Sequence, residues 1–398
     1  MNEIINKSMC TGCTACYASC PVGAIKMVPN EAGFLYPQVN DSMCINCGRC
    51  KSVCPISNET SQNLVLESYI GKNNNQDIRK ESASGGIFTN IAEWVLERKG
   101  VVFGAAYTDN LVVKHIEVDN IKDLQKLRMS KYVQSEVGEC FKRVKELLNS
   151  GRYVLFSGTP CQIAGLYCFL IKKYENLVLI DVVCHGVPSP LLFEEYKSEI
   201  KKYYNNEIKN IYFRSKILGH ACSTIMVELA NGRQLHSKKL IKSYPRLWFL
   251  GYISRECCYN CSFKKIERVS DFTIFDSFKS ANIYKYSDDD RGLSNIYIRT
   301  DKARKIIQDI SERINMVKTD YIITSEKDGD MIFKSAHKNT RYSEFWEDVN
   351  QKDYVSLIDK YMKYSKKEKI IDYVKQILVS FKLSDLKLIR MLLKKLKN

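Results

Sequence analysis

Cysteine spacing near the N terminus is the strongest chemical pattern in this sequence. The pattern C-x2-C-x2-C-x3-C-P occurs twice within residues 10–55. In such a pattern, three closely spaced thiolates bind one [4Fe–4S] cube, and the fourth, before the proline, reaches across to a second cube. The spacing therefore predicts two clusters. The ligands of the first are Cys10, Cys13, Cys16 and Cys54, and those of the second are Cys44, Cys47, Cys50 and Cys20.

Zinc sites and disulfides are the alternatives for eight cysteines in so short a segment. Structural zinc sites favour two C-x2-C pairs separated by a longer loop. Here three cysteines in step are followed by a fourth before proline. The spacing therefore favours iron–sulfur clusters over zinc or disulfides.

Four of the remaining cysteines could supply the ligands of a third cluster. Cys161 and Cys184 follow predicted buried strands, where α/β proteins place their chemistry, and Cys258 and Cys261 form a C-x2-C pair. From spacing alone, a small buried apolar role is the more common one for Cys161 and Cys184. Cys257 is a possible substitute ligand. The cysteines interpreted as core or incidental are Cys140, Cys168 and Cys222.

The rest of the chain alternates between predicted strands and helices. Apolar runs and turn residues predict strands at 24–28, 34–39, 101–107, 111–118, 153–156, 177–183, 272–275 and 295–299, with a β-rich stretch at 211–228. Helical periodicity predicts helices at 84–100, 135–148, 190–202, 302–314 and 366–398, and Thr159 with Pro160 begins another. A polar connector at 56–63 marks the expected domain boundary by composition.

The fold class that follows is a combination of α+β and α/β architecture. A dicluster ferredoxin-like module is expected at residues 1–58, a mixed α/β body at 66–330, and a basic helical region at 331–398. Both the length and the composition, with 45% hydrophobic and 27% charged residues, are those of a globular protein of two or three domains.

Five short motifs occur in order along the body. They are Ser-Gly-Gly-Ile-Phe-Thr at 84–89, Ser-Lys-Tyr-Val-Gln at 130–134, Phe-Ser-Gly-Thr-Pro-Cys-Gln-Ile-Ala-Gly at 156–165, Cys-His-Gly-Val-Pro-Ser-Pro at 184–190 and Cys-Tyr-Asn-Cys-Ser-Phe at 258–263. In this order, the motifs resemble the coenzyme F420 hydrogenase/dehydrogenase β-subunit family over about residues 68–300.

This resemblance implies an iron–sulfur flavoprotein that passes electrons between clusters, FAD and a substrate. It implies a third [4Fe–4S] cluster on Cys161, Cys184, Cys258 and Cys261. It also suggests that the turn before the helix at 84–100 receives the FAD pyrophosphate. The residues that the resemblance assigns to the flavin are Ser84, Gly85, Gly86, Ser130, Lys131, Tyr132, Gln134, Gly158 and Thr159.

Two side chains are candidates for a catalytic role beside the flavin. His185, next to Cys184, could donate a proton or a hydrogen bond, although a structural histidine is an equal alternative. Lys131 is the second candidate. Lys264 and Arg268 could counter phosphate or cluster charge, or be solvated.

One motif departs from the family pattern. Where relatives read D-I-T-x-G-D-F-W-G, this chain has Asp271-Phe-Thr-Ile-Phe-Asp-Ser-Phe-Lys279. Both aspartates are kept, but Phe275 and Lys279 replace glycines, and Phe278 replaces the tryptophan. Since glycine permits close approach or positive φ, we expect a reshaped substrate side.

The charge is concentrated at the C terminus. The chain carries a net charge of +16, yet it has no recognisable nucleic-acid-binding motif, so no nucleic-acid partner is expected. Residues 366–398 place apolar residues at helical spacing among lysines. Packing on the body or on a partner is the favoured interpretation, and binding to anionic lipid is the alternative.

The sequence predicts an iron–sulfur, flavin-dependent oxidoreductase. Its electrons would come from a low-potential donor such as ferredoxin and reach a small-molecule or glycan-related substrate, by family analogy in cell-surface polysaccharide synthesis. Oxidation or reduction of coenzyme F420 is one alternative, and an electron-transfer subunit with no substrate of its own is the other. With ligand-spaced cysteines and no apolar signal core, a cytoplasmic location is expected, with peripheral contact at the inner membrane face through the C-terminal helix.

Overall fold

The computed structural model describes residues 4–58, 62–287 and 289–381. Its helices are α1 Ala15–Ser19, α2 Arg49–Ser52, α3 Gln76–Lys80, α4 Ile87–Glu97, α5 Cys140–Asn149, α6 Pro160–Leu170, α7 Pro190–Tyr204, α8 Lys239–Phe249, α9 Ser280–Ile283, α10 Asp301–Asp309, α11 Tyr321–Asp328, α12 Asp330–Phe333, α13 Tyr342–Val349, α14 Tyr354–Tyr361 and α15 Lys366–Ser380.

Three sheets hold the strands together. The strands are β1 Ile25–Pro29, β2 Leu35–Val39, β3 Glu67–Asn73, β4 Val101–Tyr107, β5 Val113–Val118, β6 Val154–Gly158, β7 Leu177–Val182, β8 Ile208–Ser215, β9 Thr224–Leu229, β10 Gln234–His236, β11 Phe272–Asp276, β12 Ser294–Ile298 and β13 Ile314–Thr319. The largest sheet has the order β13-β3-β12-β11-β7-β6-β4-β5. Strands β4, β6, β7 and β11 run parallel, so their C-terminal ends meet at one edge.

Helices cover both faces of this central sheet. On one face, α4 and α10 bury Ile91, Val95 and Ile306 against the strands. On the other face, α5 and α6 pack on the sheet, and the N-terminal module joins the same apolar cluster through Ala15 and Val53. Strands covered on both faces are expected to be continuously apolar, as the first four residues of β7, Leu177–Ile180, are.

A second apolar core lies beside the sheet and is rich in aromatic side chains. The antiparallel strands β8, β9 and β10 pack with α7, α8, α13 and α14 around Tyr196, Tyr244 and Phe345. This unit carries the segment that leads into the C-x2-C pair. It therefore positions Cys258 and Cys261 relative to the central sheet.

Two predicted helices have different limits in the structure. The helix predicted at 135–148 starts only at Cys140, because the Glu136 backbone pairs with Val113 and His115 of β5, and Gly138 has a positive φ of 55°. The helix predicted at 302–314 ends at Asp309, and Ile314 instead begins β13, an edge strand of the sheet. The predicted helix at 366–398 is present from Lys366 to Ser380, and residues 382–398 lie outside the described residues.

No helix within the described ranges is both long enough and apolar enough to cross a membrane. The polar connector predicted at 56–63 leads directly into the body, where the backbone of Asn63 pairs with that of Arg268.

Candidate functional site

The first four predicted ligands surround a cavity in the N-terminal module. Its lining includes the thiols of Cys10, Cys13, Cys16 and Cys54 together with apolar neighbours such as Met27. The Cys13 and Cys16 thiols lie close enough to Cys10 and Cys54 for the charges of those groups to act on them, although burial is the larger cause of their raised pKa values. The distant Cys54 therefore joins the three closely spaced cysteines, as the spacing predicts for the first cluster.

The two cysteine runs share the same backbone pattern. Gly12 in the first run and Asn46 in the second both have positive φ, of 69° and 53°. Thr14 and Gly48 match in the same way, with φ of 71° and 70°, and each begins a short helix as its N-cap. These left-handed turns curl each run so that successive thiols can face one centre.

The second set of ligands is partly grouped. The Cys50 thiol lies near Cys47 and Cys44, and its pKa is raised by burial and then by their charges. Cys20 follows α1 and accepts a hydrogen bond from the Ala24 amide at 3.2 Å. By analogy with Cys54 in the other run, Cys20 stays the predicted fourth ligand of this cluster.

The third predicted set comes together at the edge of the central sheet. Cys161 lies in the first turn of α6, directly after β6, and Cys184 follows the neighbouring strand β7. Cys258 ends a turn at Glu256–Cys258, and Cys261 follows three residues later. The Cys161 thiol lies near the thiols of the other three, and burial, followed by their charges, raises its pKa well above the usual value.

Close backbone packing brings the two loops of this third set together. A Cβ on Gly186 would lie 3.2 Å from the Cβ of Cys258, so the absence of a side chain permits the contact. Burial raises the pKa of the Cys184 thiol to about 12, so it keeps its proton at neutral pH until a metal replaces it. The Lys264 ammonium donates to the Cys184 and Met331 carbonyls.

Within the described ranges, no group of three or more His, Cys, Asp or Glu side chains has the geometry to hold a single metal ion.

Helix α6 connects the third set to the first. Cys161 lies in its first turn, and Gly165 lies one turn later, where a Cβ would come within 2.8 Å of both Cβ and Sγ of Cys13. One helical turn rises about 5.4 Å. Cys161 of the third set is thus one helical turn away from Gly165, and Gly165 directly contacts Cys13 of the first set.

Comparison with known protein families finds matches in two parts of the chain. The model of the C-terminal part of the coenzyme F420 hydrogenase/dehydrogenase β-subunit matches residues 151–322, and the "4Fe-4S dicluster domain" model matches residues 9–58. These matches make the chain an iron–sulfur electron-transfer protein that is related to the coenzyme F420 hydrogenase/dehydrogenase β-subunit over residues 151–322.

The other two comparisons add less. No curated protein matches the chain. Among solved structures, a chain from the work titled "Xenon derivatization of the F420-reducing [NiFe] hydrogenase complex from Methanosarcina barkeri" is similar, with 17% identity and a TM-score of 0.46. The match covers 68% of this chain and 89% of that one. A similarity at this level carries no argument about function.

The glycine turn predicted to contact FAD lies at the same sheet edge as the third cysteine set. Ser84 donates to the Leu293 carbonyl, and the Gly85 amide donates to the Ser294 hydroxyl at 3.0 Å. Ser294 pairs with Asp276 at the C-terminal end of β11. Gly86 has a φ of 82° and begins α4 without a side-chain cap.

The other residues predicted to contact flavin occupy two places. Thr159 caps α6 together with Gln162, and its hydroxyl lies 3.2 Å from the Cys161 Sγ. Gly158 precedes it at the end of β6. Gln134 faces the N-terminal module instead, donating to the Thr11 carbonyl at 3.0 Å. These assignments stay predictions.

Lys131 and Ser130 lie on the loop that follows residues 123–127. The Lys131 ammonium donates to the carbonyls of Lys126 and Arg128, and burial lowers its pKa to about 7. Ser130 is half-buried on the same loop. Lys131 lies near His115, whose ring contacts the end of β6. The loop therefore reaches the sheet edge at which the C-terminal ends of the parallel strands meet.

His185 begins an aromatic cluster beside the third cysteine set. Its ring lies 5.1 Å from Trp248, and Trp248 lies 4.8 Å from Tyr132. Arg214 donates to the Tyr132 hydroxyl at 3.4 Å. Burial, followed by the charge of Lys264, lowers the pKa of His185 to about 4, so its imidazole is neutral at pH 7.

The motif at 271–279, which differs from the family pattern, has one aspartate at each end of β11. Only Asp276 lies at the sheet edge that carries the third cysteine set. Asp271, before β11, accepts from the Leu179 amide and the Thr300 hydroxyl. Asp276, at the other end of β11, accepts from Arg214 at 2.7 Å and His220 at 3.1 Å. Burial alone would raise the pKa of Asp276, but Arg214 and His220 hold it well below its usual range.

The residues that replace the family glycines do not need glycine's backbone freedom. Lys279 has a φ of −89°, and Phe275 is absent from the positive-φ residues of the described chain. Phe275 packs edge-on against Tyr297, and Phe278 stacks on His220 with ring centroids 4.6 Å apart. The Phe275 side chain therefore occupies space that the glycine of relatives would leave open.

Sequence patterns did not single out Arg214, Trp248 or Arg255. None belongs to a motif with regular spacing. Arg255 lies three residues before Cys258, and this proximity to a predicted ligand was the one sequence feature that could have indicated a role for Arg255. Lys264 and Arg268, for which solvation was an alternative, are engaged with the chain: Arg268 pairs with the buried Asp181 at 3.3 Å.

Proposed function

We propose that this chain is an iron–sulfur flavoprotein oxidoreductase that takes electrons from a low-potential donor and delivers them to an organic substrate. The observation that carries the proposal is the grouping of Cys161, Cys184, Cys258 and Cys261 at the sheet edge, one turn of α6 from Cys13. This grouping supports a third [4Fe–4S] cluster as the link between the N-terminal module and the body.

The residues of the third set are suited to hold a cluster. Cys258 is buried and the other three cysteines are half-buried, Thr159 approaches Cys161, and Gly186 leaves room for the Cys258 loop. Exclusion of water around cysteine ligands is one means by which a protein sets a cluster's potential. The chain thus contributes the ligands, the spacing and the dry surroundings.

Unpartnered buried groups beside this set support a flavin as the next cofactor. The Nε2 of His185, the Nε1 of Trp248 and the Nη2 of Arg214 are buried and have no hydrogen-bond partner among the described residues. A buried polar group without a partner costs about 1–3 kcal/mol. An occupant with carbonyl and ring-nitrogen acceptors would satisfy such groups, and the flavin ring has both.

Bound FAD would supply the conversion between one-electron and two-electron chemistry. In the proposed net reaction, two reduced one-electron donors are each oxidised once. The substrate gains that electron pair together with protons from solvent. The role of the chain is to hold the cofactors in order, since Cys13, α6 and Cys184 link the module to the aromatic cluster.

Cofactor content tests the proposal directly. Anaerobically purified protein is expected to contain about twelve irons per chain, four for each cluster, and to release FAD on denaturation. Stopped-flow mixing with a reduced ferredoxin should bleach the flavin absorbance. About eight irons and no flavin would contradict the enzyme and leave the electron-transfer subunit without its own substrate.

We propose coenzyme F420 only as the alternative substrate. Phe275, Phe278 and Lys279 fill the positions that are glycine or tryptophan in relatives. A glycan-related substrate used at a membrane surface is the leading class. Its support is the exposed face of α15.

That face of α15 favours contact with an anionic membrane. Ile370, Tyr373 and Phe381 are 64%, 65% and 72% exposed, and they follow helical spacing. The acidic Glu368 and Asp372 are turned to the body, where they pair with Arg246 and Lys242. The outward face of α15 is therefore apolar and basic. The sequence that follows it, residues 382–398, contains six Lys or Arg and one Asp.

A further inference from the structure

Arg255 is a fully buried arginine between the N-terminal module and the body. Its Nε donates to the Cys10 carbonyl at 2.7 Å, and its Nη2 donates to the Leu35 carbonyl at 3.0 Å. Its Nη1 donates to Gln134 at 2.8 Å, and the guanidinium lies 4.1 Å from the ring centroid of Tyr36. Neutral groups therefore satisfy most of its N–H donors.

No acidic side chain neutralises this charge. Across residues 4–58, 62–287 and 289–381, Arg255 forms no ion pair, whereas the buried Arg79 pairs with Asp289 and the buried Arg268 pairs with Asp181. An isolated buried charge costs several kcal/mol. The Cys10 thiol, which becomes anionic as a cluster ligand, has its Sγ 3.8 Å from Nη2.

The charge is directed at one cysteine run only. Gly12 and Asn46 hold equivalent left-handed positions in the two runs. A Cβ on Gly12 would lie 2.9 Å from Nη1 of Arg255, so glycine at this position admits the guanidinium. The equivalent position in the second run carries a side chain, Asn46.

We propose that Arg255 is the counter-charge of the cluster held by Cys10, Cys13, Cys16 and Cys54, and that it raises the reduction potential of this cluster. A cubane with four thiolates is anionic, and reduction adds one more negative charge without moving any atom. A fixed cation beside it stabilises the reduced state more than the oxidised one. Arg255 is thus a positioning residue that acts on redox equilibrium.

The same residue holds the third set next to the first. The Arg255 amide donates to the Val187 carbonyl, just after Cys184, and the Arg255 carbonyl accepts from the Cys258 amide, both at 2.9 Å. One residue therefore contacts the ligand loops of both sites. A raised potential favours the arrival of electrons at the cluster nearest α6. The direction of electron flow, from the N-terminal module to the body, is the one part of the inference that rests on the proposed function.

Redox titration followed by EPR tests the inference on the full chain, purified anaerobically. The R255M variant removes the charge, R255K keeps it, and R79M is the control because it removes a buried arginine that has its own carboxylate. In R255M, one cluster couple should shift to lower potential by at least tenfold in its equilibrium constant, which is 59 mV for one electron. R255K should shift it less, and R79M should leave every couple in place.

Unchanged couples in an R255M protein with full iron content would overturn the inference. If R255M loses iron, the iron content of R255K distinguishes charge from shape. Full iron in R255K would support a role for the positive charge, whereas iron loss in both variants would mean that the shape of arginine matters and its charge does not, which would contradict the inference. These measurements need neither substrate nor flavin. Failure of the proposed function would appear as missing FAD or missing third-cluster iron, and it is therefore distinguishable from failure of the inference about Arg255.

Discussion

Gly165 illustrates how one missing side chain sets the distance between two cysteine sets. A Cβ there would lie 2.8 Å from the Cβ and Sγ of Cys13, closer than any normal contact. In an unhindered helix interior, alanine would stabilise by up to about 1 kcal/mol relative to glycine. Here the added methyl must push α6 away from the first cluster ligand.

G165A is therefore expected to destabilise the protein by about 1–3 kcal/mol, the usual cost of overpacking. Urea denaturation under anaerobic conditions measures the change in free energy of unfolding, and iron analysis reports any lost cluster. A G165A protein at least as stable as the parent would show that α6 does not press on Cys13.

His115 links the loop that contains Lys131 to the end of β6. Its Nδ1 lies 2.8 Å from the Ser135 hydroxyl and its Nε2 3.0 Å from the Ser157 carbonyl, and its ring stacks on Phe156. Burial lowers its pKa to about 4. The unfolded chain, with an ordinary histidine pKa of about 6.5, binds a proton more readily than the folded chain.

Stability that depends on neutral His115 should therefore be complete above about pH 6.5 and fall as the pH drops toward 4. The expected loss is roughly 3 kcal/mol at pH 4 and below, of which about 2 kcal/mol is already lost at pH 5, at 1.36 kcal/mol for each pKa unit. Anaerobic urea denaturation at pH 7.5 and 5 measures it, and H115Q should show a smaller loss over this range. Equal losses in H115Q and the parent would place the acid sensitivity elsewhere.

At the scale of elements, α6 and α15 have opposite surroundings. Helix α6 is nearly enclosed, with Thr159 and Gln162 forming a capping box at its start and Ile163 and Leu166 buried. Helix α15 has its own capping box, Ser365 with Glu368, but leaves an apolar row in water. Helix α6 positions Cys161, a proposed cluster ligand, whereas α15 exposes an apolar surface.

Vesicle co-sedimentation tests the α15 surface. The full chain should bind vesicles containing anionic phospholipid and bind zwitterionic vesicles weakly. Replacing Ile370 and Ile377 with serine should weaken binding at least tenfold, because burial of an isoleucine side chain contributes about 1.5–3 kcal/mol. Y203S is the control, since Tyr203 is 70% exposed on α7. Equal binding by both variants, or no binding by the parent, would contradict membrane contact.

At the scale of the whole molecule, much of the arrangement follows from sequence. Cysteine spacing placed Cys54 with Cys10, Cys13 and Cys16, since cluster ligation imposes a fixed pattern on the chain. Apolar runs located β6 and β7, and parallel strands bring their C-terminal ends together. That rule is sufficient to place Cys161 beside Cys184.

Contacts between distant segments were not predictable in the same way. Arg255 approaches Cys10 across 245 residues, and Trp248 approaches His185 through packing of the second core. Residues 135–139 have a helical pattern, yet pairing of Glu136 with β5 overrides it. Such tertiary contacts depend on the complete fold, which local periodicity does not encode.

The central claim is that the body contains a third cluster fed by the N-terminal module. Iron content of the C258S variant, with C222S as the control, tests it most directly. Cys222 is also a buried cysteine, but it packs with Leu218 away from the third set. We expect C258S to lose about four irons, the content of one cluster, and C222S to keep the full iron content. An unchanged iron content in C258S would contradict the claim.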